Sequence, residues 1–183
     1  MSEPSQWFRR HQPLIRAGGS ILDVAAGGGR HVAFFGKAGF QVTAVDRNTT
    51  PLVPYIDSVG AEIIEADLES GAPWPLAGRT FDAVIVCNYL YRPLFGDLLG
   101  ALAPGGVFVT STVVLAGPIK TKFVERGLCA DAASYDAKEW KPNTPFWDTP
   151  AVVKMLEDAG LVDVEVLAQD KCFVMVKGTK PKQ

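Results

Sequence analysis

The stretch Ser20–His31, SILDVAAGGGRH, decides how this chain is read. It opens with an apolar run, Ile21–Leu22–Asp23–Val24, then breaks into two alanines and the glycines Gly27, Gly28 and Gly29. A helix-like pattern from Arg30 to Gly39 follows at once. Strand, glycine turn, helix is the arrangement by which a βα unit lets a ligand approach the backbone closely. Glycine takes positive φ and carries no Cβ, so a ligand can pack directly on the chain. The helix N-terminus beyond offers free N–H groups and a partial positive charge.

Helix and strand patterns continue on either side of this stretch, with no internal repeat. Upstream, residues 4–16 place Trp7, Phe8, His11, Leu14 and Ile15 on one helix face, and Ala17–Gly18–Gly19 ends the pattern. Downstream, the helix after the glycine turn has Val32, Phe35 and Phe34 as its inward residues. Gln41–Asp46, QVTAVD, reads as a second strand that ends on an acid. Thr50–Pro51 predicts a short helix start, a cap residue followed by proline. Ala61–Asp67, AEIIEAD, reads as a third strand, again ending on an acid, and 69–80 as a loop.

Phe81–Cys87, FDAVIVC, is apolar enough for a strand buried on both faces. Residues 92–103 read as a helix with Leu94, Phe95, Leu98, Leu99 and Leu102 inward, and Pro104–Gly105–Gly106 turns into a fifth strand, GVFVTSTVVL. The pattern lapses from Ala116 to Asp148, a stretch rich in aromatics. A segment of that length is usually functional or holds a poorly signalled helix; its aromatics could cover the sheet, and 116–148 is expected to be a substrate lid. Thr149–Pro150 starts a helix with Val152, Val153 and Leu156 inward, and Val162–Leu167 with Cys172–Val176 reads as an antiparallel hairpin. Strands alternating with helices imply an α/β fold: a Rossmann-like, doubly wound, mostly parallel seven-stranded sheet with an antiparallel C-terminal hairpin. The 183 residues read as one domain, with 1–19 as its N-terminal helix.

Composition narrows the function classes. Lys+Arg 18 against Asp+Glu 20 gives a net charge of −2, unlike the basic footprint of a nucleic-acid binder. Lys177, Lys180 and Lys182 read as a solubilising tail. No apolar run suits a signal core or a membrane span. Cys87, Cys129 and Cys172 make neither a CxxC pair nor a zinc spacing with His11 and His31. A reduced, cytoplasmic, metal-free protein is expected, monomeric or homodimeric.

Ligands of such sheets lie beyond the carboxyl ends of the strands, where Asp23, Asp46 and Asp67 fall. Asp46, 19 residues after Gly27, suits two ribose hydroxyls, because a carboxylate accepts both protons. That fits a nicotinamide dinucleotide and S-adenosylmethionine equally. Four details favour the second. Counted from Gly27, the last glycine of G-x-G-x-x-G is replaced by Val32. Asp23 suits a ligand ammonium and would repel a pyrophosphate. Asp67 can accept from an adenine amino group. FDAVIVCNYL followed by LAPGGVFV is not expected of a dinucleotide domain.

D-x-A-x-G-x-G at Asp23–Gly29, VTAVD, EADLE, FDAVIVCNYL and LAPGG, in this order over about residues 20–110, together resemble a class I S-adenosylmethionine-dependent methyltransferase. The NYLYRPLF segment resembles small bacterial members of the tellurite-resistance type. The resemblance implies methyl transfer from S-adenosylmethionine to a small-molecule acceptor by in-line displacement. It implies that Asp23 orients the loop or meets the methionine ammonium, and that Ala25, Ala26, Gly27 and Gly29 line the methionine part. Asp46 would take the ribose diol and Arg47 flank the adenine. Asp67 would meet the adenine amino group, and the Leu68 N–H a ring nitrogen. The carbonyls of Cys87 and Asn88 would border the sulfonium.

Ala25 departs from the family's usual glycine, which opens a reading with weakened cofactor affinity. Asn88–Tyr89 lacks the prolines of N-P-P-Y, so activity on exocyclic amines is not carried over. Arg30, Tyr89 and Arg92 are the substrate-side candidates, and His11 is the general-base candidate by pKa. Two other classes stay open: an NAD(P)-dependent oxidoreductase and a non-catalytic S-adenosylmethionine-binding module.

Overall fold

The computed structural model describes residues 4, 6–89, 91–113, 149–169 and 173–182. The expected lid, 116–148, and the side chain of Arg92 lie outside the described residues. A short helix α1 (Gln6–His11) and one turn of 3-10 helix (Gln12–Leu14) lead into β1 (Ser20–Val24). Then come α2 (Arg30–Lys37), β2 (Gln41–Asp46), α3 (Pro54–Val59), β3 (Glu62–Glu65) and β4 (Phe81–Cys87). A 3-10 turn (Arg92–Leu94), α4 (Phe95–Gly100) and β5 (Leu102–Val113) follow. The described chain closes with a helix, here α5 (Thr149–Asp158), then β6 (Val162–Gln169) and β7 (Phe173–Thr179).

The seven strands form one sheet in the order β3-β2-β1-β4-β5-β7-β6. β1 to β5 pair in parallel, and β7 runs antiparallel between β5 and β6. The expected architecture is therefore present. Successive connections run outward from β1 to β2 and β3, then return across to β4. The switch between β1 and β4 opens a crevice at their carboxyl ends.

Alternation along each strand builds a core on both faces. Leu22, Val24, Val84, Val86 and Phe108 pack toward α4 and α5. Ile21, Ala44, Ala83, Ile85 and Val109 pack with Val32 and Phe35 of α2 and with Phe8 of α1. Asp23 points to this second face and is buried beside Ile85.

Several expectations are corrected. Helix α3 begins at Pro54, not at Thr50–Pro51, since proline is already set for the first helical position. Leu102 belongs to β5, pairing with Phe81, and is not the last turn of α4. Its burial served a strand as well as a helix, and a register shift between Phe81 and Ala83 absorbs Pro104–Gly105. Leu14 is 38% exposed, because the chain has tightened to 3-10 geometry before reaching it. Two of the three basic residues near the C-terminus, Lys177 and Lys180, are tied into the fold, while Lys182 is exposed as expected. Lys177 lies in β7 and pairs with Glu165 at 3.3 Å. Lys180 Nζ donates to the carbonyls of Leu99 (3.1 Å) and Leu102 (2.7 Å), tying the end of the chain to the end of α4. Among the described residues no helix is long and apolar enough to cross a membrane.

Candidate functional site

The glycine turn joins β1 to α2 directly above the crevice. Gly27 and Gly29 take φ of 55° and 71°, and Ala25 takes φ 54° as well. A Cβ on Gly29 would collide with the Tyr55 ring and lie 2.9 Å from Leu52 Cδ2, so glycine is required there for space as well as conformation. Asp46 fixes the turn from the end of β2. Its Oδ2 accepts the Gly27 N–H at 2.7 Å and its Oδ1 the Asn48 N–H at 2.9 Å. Tyr55 donates its hydroxyl to the Gly28 carbonyl at 3.4 Å.

Two cavities meet at Ala25. One, of about 260 Å³, is lined by Asp46, Arg47, Ala66, Asp67, Leu68, Glu69 and Tyr89 as well as Ala25. The other, of about 270 Å³, lies over the β1–β4 switch and takes in Asp23, Ala26, Gly27, Arg30, Cys87 and Asn88 along with Ala25. Gly28 and His31 also line this second cavity. A ligand spanning both would be an elongated molecule bent around Ala25.

The ionisable groups of the second cavity are unusual. Asp23 is 1% exposed, and its Oδ2 has no hydrogen-bond partner. Burial lifts its carboxyl to about 7, with the nearby Arg30 charge opposing and Asp46 adding to the rise. His31 packs against the Phe8 ring, centroids 4.5 Å apart. Burial, and secondarily Arg30, lower it to about 4. Arg30 reaches across to donate to Cys87 Sγ at 3.1 Å. Burial pushes the Cys87 thiol up, and Arg30 opposes that rise. Asn88 follows at φ 56° and donates its N–H to the Ser111 carbonyl at 2.8 Å, which turns the chain out of β4 at the crevice.

Of the residues singled out from sequence, Asp23, Ala25, Ala26, Gly27, Arg30, Cys87 and Asn88 converge on one cavity, while Asp46, Arg47, Asp67 and Leu68 converge on the other. Gly29 acts from behind the turn, packed on α3. Asp67 accepts the Glu69 N–H at 3.0 Å, so it closes a local turn at the cavity rim. Tyr89 lines the cavity of Asp46 and Asp67, not that of Arg30. Burial and the Glu69 carboxylate raise its phenol pKa. His11 lines neither of these cavities.

Glu69, Ala66 and Gly28 are lining residues that sequence reasoning missed. Glu69 could have been found from EADLE, two positions past Asp67 on the same loop. Among the described residues no group of three or more His, Cys, Asp or Glu is arranged to hold a metal.

Residues 22–110 match a family described as a methyltransferase domain. No curated protein matches the sequence. Among solved structures, an O-methyltransferase family protein from Burkholderia thailandensis shares 17% identity at a TM-score of 0.68, over 95% of this chain and 57% of its own length. This chain thus spans little more than half of that protein. The 1,6-didemethyltoxoflavin-N1-methyltransferase of Burkholderia thailandensis, solved with 1,6-didemethyltoxoflavin and S-adenosylhomocysteine, shares 20% identity at a TM-score of 0.64, over 97% of this chain and 79% of its own. A TehB-like methyltransferase from Corynebacterium glutamicum shares 17% at 0.63, over 95% and 86%. Fold and match agree in kind: residues 22–110 resemble a methyltransferase domain, and these solved methyltransferases share the fold of this chain.

Proposed function

We propose that the chain is a class I methyltransferase that binds S-adenosylmethionine and transfers its methyl group to a small-molecule acceptor, with adenosine in the Asp46 cavity and the methionyl half in the Asp23 cavity. The observation that carries this reading is the pair of cavities meeting at Ala25, each with a carboxylate suited to one half of the cofactor. Asp46 already accepts two backbone N–H groups, yet a carboxylate has about four acceptor sites, so capacity is left for a ribose diol. Arg47 would flank the adenine, Asp67 would take its amino group and the Leu68 N–H a ring nitrogen. The unpartnered oxygen of Asp23 matches an ammonium. Ala26, Gly27 and Gly29 would shape the methionyl side, and the carbonyls of Cys87 and Asn88 would border the reacting sulfur.

When bound, the cofactor supplies a methyl group already activated on a sulfonium. What the chain must do is hold the acceptor in line and keep water out. His31, Cys87 and Tyr89 are all shifted away from the range of an effective base at neutral pH, and Asp23, raised to about 7, is taken up by the ligand ammonium in this placement. This supports an acceptor that is soft, already anionic, or an amine, with Arg30, Tyr89 and Arg92 as candidates for meeting it.

Calorimetric titration with S-adenosylhomocysteine tests the cofactor placement. Wild type is expected to bind it in preference to NAD(H), and Asp46→Ala to bind about tenfold or more weakly, the worth of charge-assisted hydrogen bonds. Absence of binding by wild type sinks the placement; unchanged affinity in the variant sinks the ribose role. For the acceptor, labelled methyl groups should appear in the low-molecular-weight fraction of a metabolite extract. Label confined to macromolecules would refute the small-molecule assignment.

A further inference from the structure

Four of the side chains that line the Asp46 cavity carry charge and three are small or aliphatic; Tyr89 is the one aromatic among the described lining residues. Its place follows from topology. β4 lies on the other side of β1 from β2 and β3, whose ends lead to Asp46 and Asp67. Asn88, at φ 56°, turns the chain out of β4, and Tyr89 closes the cavity from the β4 side. Tyr89 is half-buried, yet its hydroxyl oxygen is fully covered. What it presents to the cavity is therefore ring carbon, not the phenol oxygen. The ring is fixed by packing against the core on the α4 and α5 face. Burial and the Glu69 carboxylate keep the phenol un-ionised, so the ring brings no charge to an already acidic cavity.

Carboxylates and backbone N–H groups meet a base at its edge. A base also has two flat faces, and an aromatic ring covers such a face better than an aliphatic side chain does. Resting on the assignment of adenosine to this cavity, we propose that Tyr89 is a specificity-determining residue for the cofactor, the ring on which the purine stacks. The charged residues then select the base by its hydrogen-bonding edge, and Tyr89 selects a flat aromatic face. This takes Tyr89 from the acceptor side and gives it to the cofactor.

The test is calorimetric titration of wild type, Tyr89→Phe, Tyr89→Leu and Tyr89→Met with two ligands. One is S-adenosylhomocysteine; the other is 5′-methylthioadenosine, which keeps the base and ribose and lacks the amino-acid end. Each variant is first shown to fold by circular dichroism and a melting transition, and if Tyr89→Leu does not fold, Tyr89→Met carries the comparison. Tyr89→Phe keeps the ring and should bind S-adenosylhomocysteine within about threefold of wild type. Tyr89→Leu and Tyr89→Met keep apolar volume without a ring and should bind it about fivefold or more weakly, the worth of a stacked base. The same factor should appear with 5′-methylthioadenosine, because the contact is with the base. Aliphatic variants that bind as well as Tyr89→Phe overturn the stacking, and leave Tyr89 to packing or to the acceptor. A loss in Tyr89→Phe as large as in Tyr89→Leu makes the hydroxyl the working group, and overturns it too. So does a loss confined to S-adenosylhomocysteine, which would place the effect at the methionyl half. Failure of wild type to bind either ligand is a different result: it overturns the placement of adenosine, and the stacking with it.

Discussion

Ala25→Gly is expected to stabilise the ligand-free protein, and the structure sets the size of the effect. Ala25 holds φ 54°, where its Cβ crowds the following carbonyl. An L-residue in this region costs roughly 1–2 kcal/mol. Glycine removes that strain but gains freedom in the unfolded chain, a loss of about 0.5–1 kcal/mol. The first effect wins by about 0.5–1 kcal/mol, or a melting point higher by about 1–4 °C in a chain of this size. Ala25 is half-buried at the junction of the two cavities, so little packing is lost with its methyl. Thermal unfolding followed by circular dichroism at neutral pH reads the shift, and a titration with S-adenosylhomocysteine should show affinity held or improved. A melting point lowered by about 2 °C or more would refute the reasoning, because the methyl would then be worth more as packing than it costs as strain.

Gly29→Ala should act in the opposite direction. Its Cβ would enter the Tyr55 ring at φ 71°, adding overpacking to strain, about 2–5 kcal/mol together. Its melting point should fall by about 5 °C or more, and an unchanged one would show that α3 yields freely. Lys180→Met removes two hydrogen bonds from an ammonium to the carbonyls of Leu99 and Leu102. The expected loss is about 1–3 kcal/mol in denaturant titration, and none would mean that Lys180 is in effect a solvated tail residue.

The sheet was legible in the sequence because its inner strands are buried on both faces. FDAVIVC leaves no polar face to confuse strand with helix, and β4 matches it from Phe81 to Cys87. The glycine turn and Asp46 were legible through spacing, since a βα unit of fixed size separates them. Element ends were not. Pro54 fits a break and a first helical position alike, and only the packing of Tyr55 under the glycine turn selects the second. Leu102 satisfies a helix face and a strand equally, and tertiary pairing with Phe81 decides. The left-handed conformation of Ala25 was invisible, because nothing in an alanine side chain announces positive φ, whereas Asn88 is of a residue type that adopts it readily. Lys180 was misread because its role depends on carbonyls some eighty positions earlier in the chain.

Asp23 and His31 line one cavity and respond to pH with opposite sign. Asp23 is raised from 3.8 to about 7, so the folded state binds the extra proton between those values. Its contribution to stability therefore falls as pH rises through that window. His31 is lowered from 6.5 to about 4, so the unfolded state binds the extra proton there, and stability is lost as pH falls from 6.5. The two slopes oppose each other up to about 6.5, and above it only the Asp23 slope remains. Asp23→Asn should therefore raise the urea midpoint of the ligand-free protein far more at about pH 8 than at about pH 4. His31→Phe should leave a decline running across the whole window. Equal gains for Asp23→Asn at both ends would show that the buried carboxyl carries no pH-linked penalty. Binding should respond in the reverse sense. A cofactor ammonium beside Asp23 favours its ionised form, so affinity for S-adenosylhomocysteine should rise between about pH 6 and 8 while ligand-free stability falls. The carboxylate whose charge weakens the empty fold is then the one that the ligand's ammonium pairs with. An affinity flat with pH, or one equally pH-dependent in Asp23→Asn, would separate Asp23 from the ligand altogether.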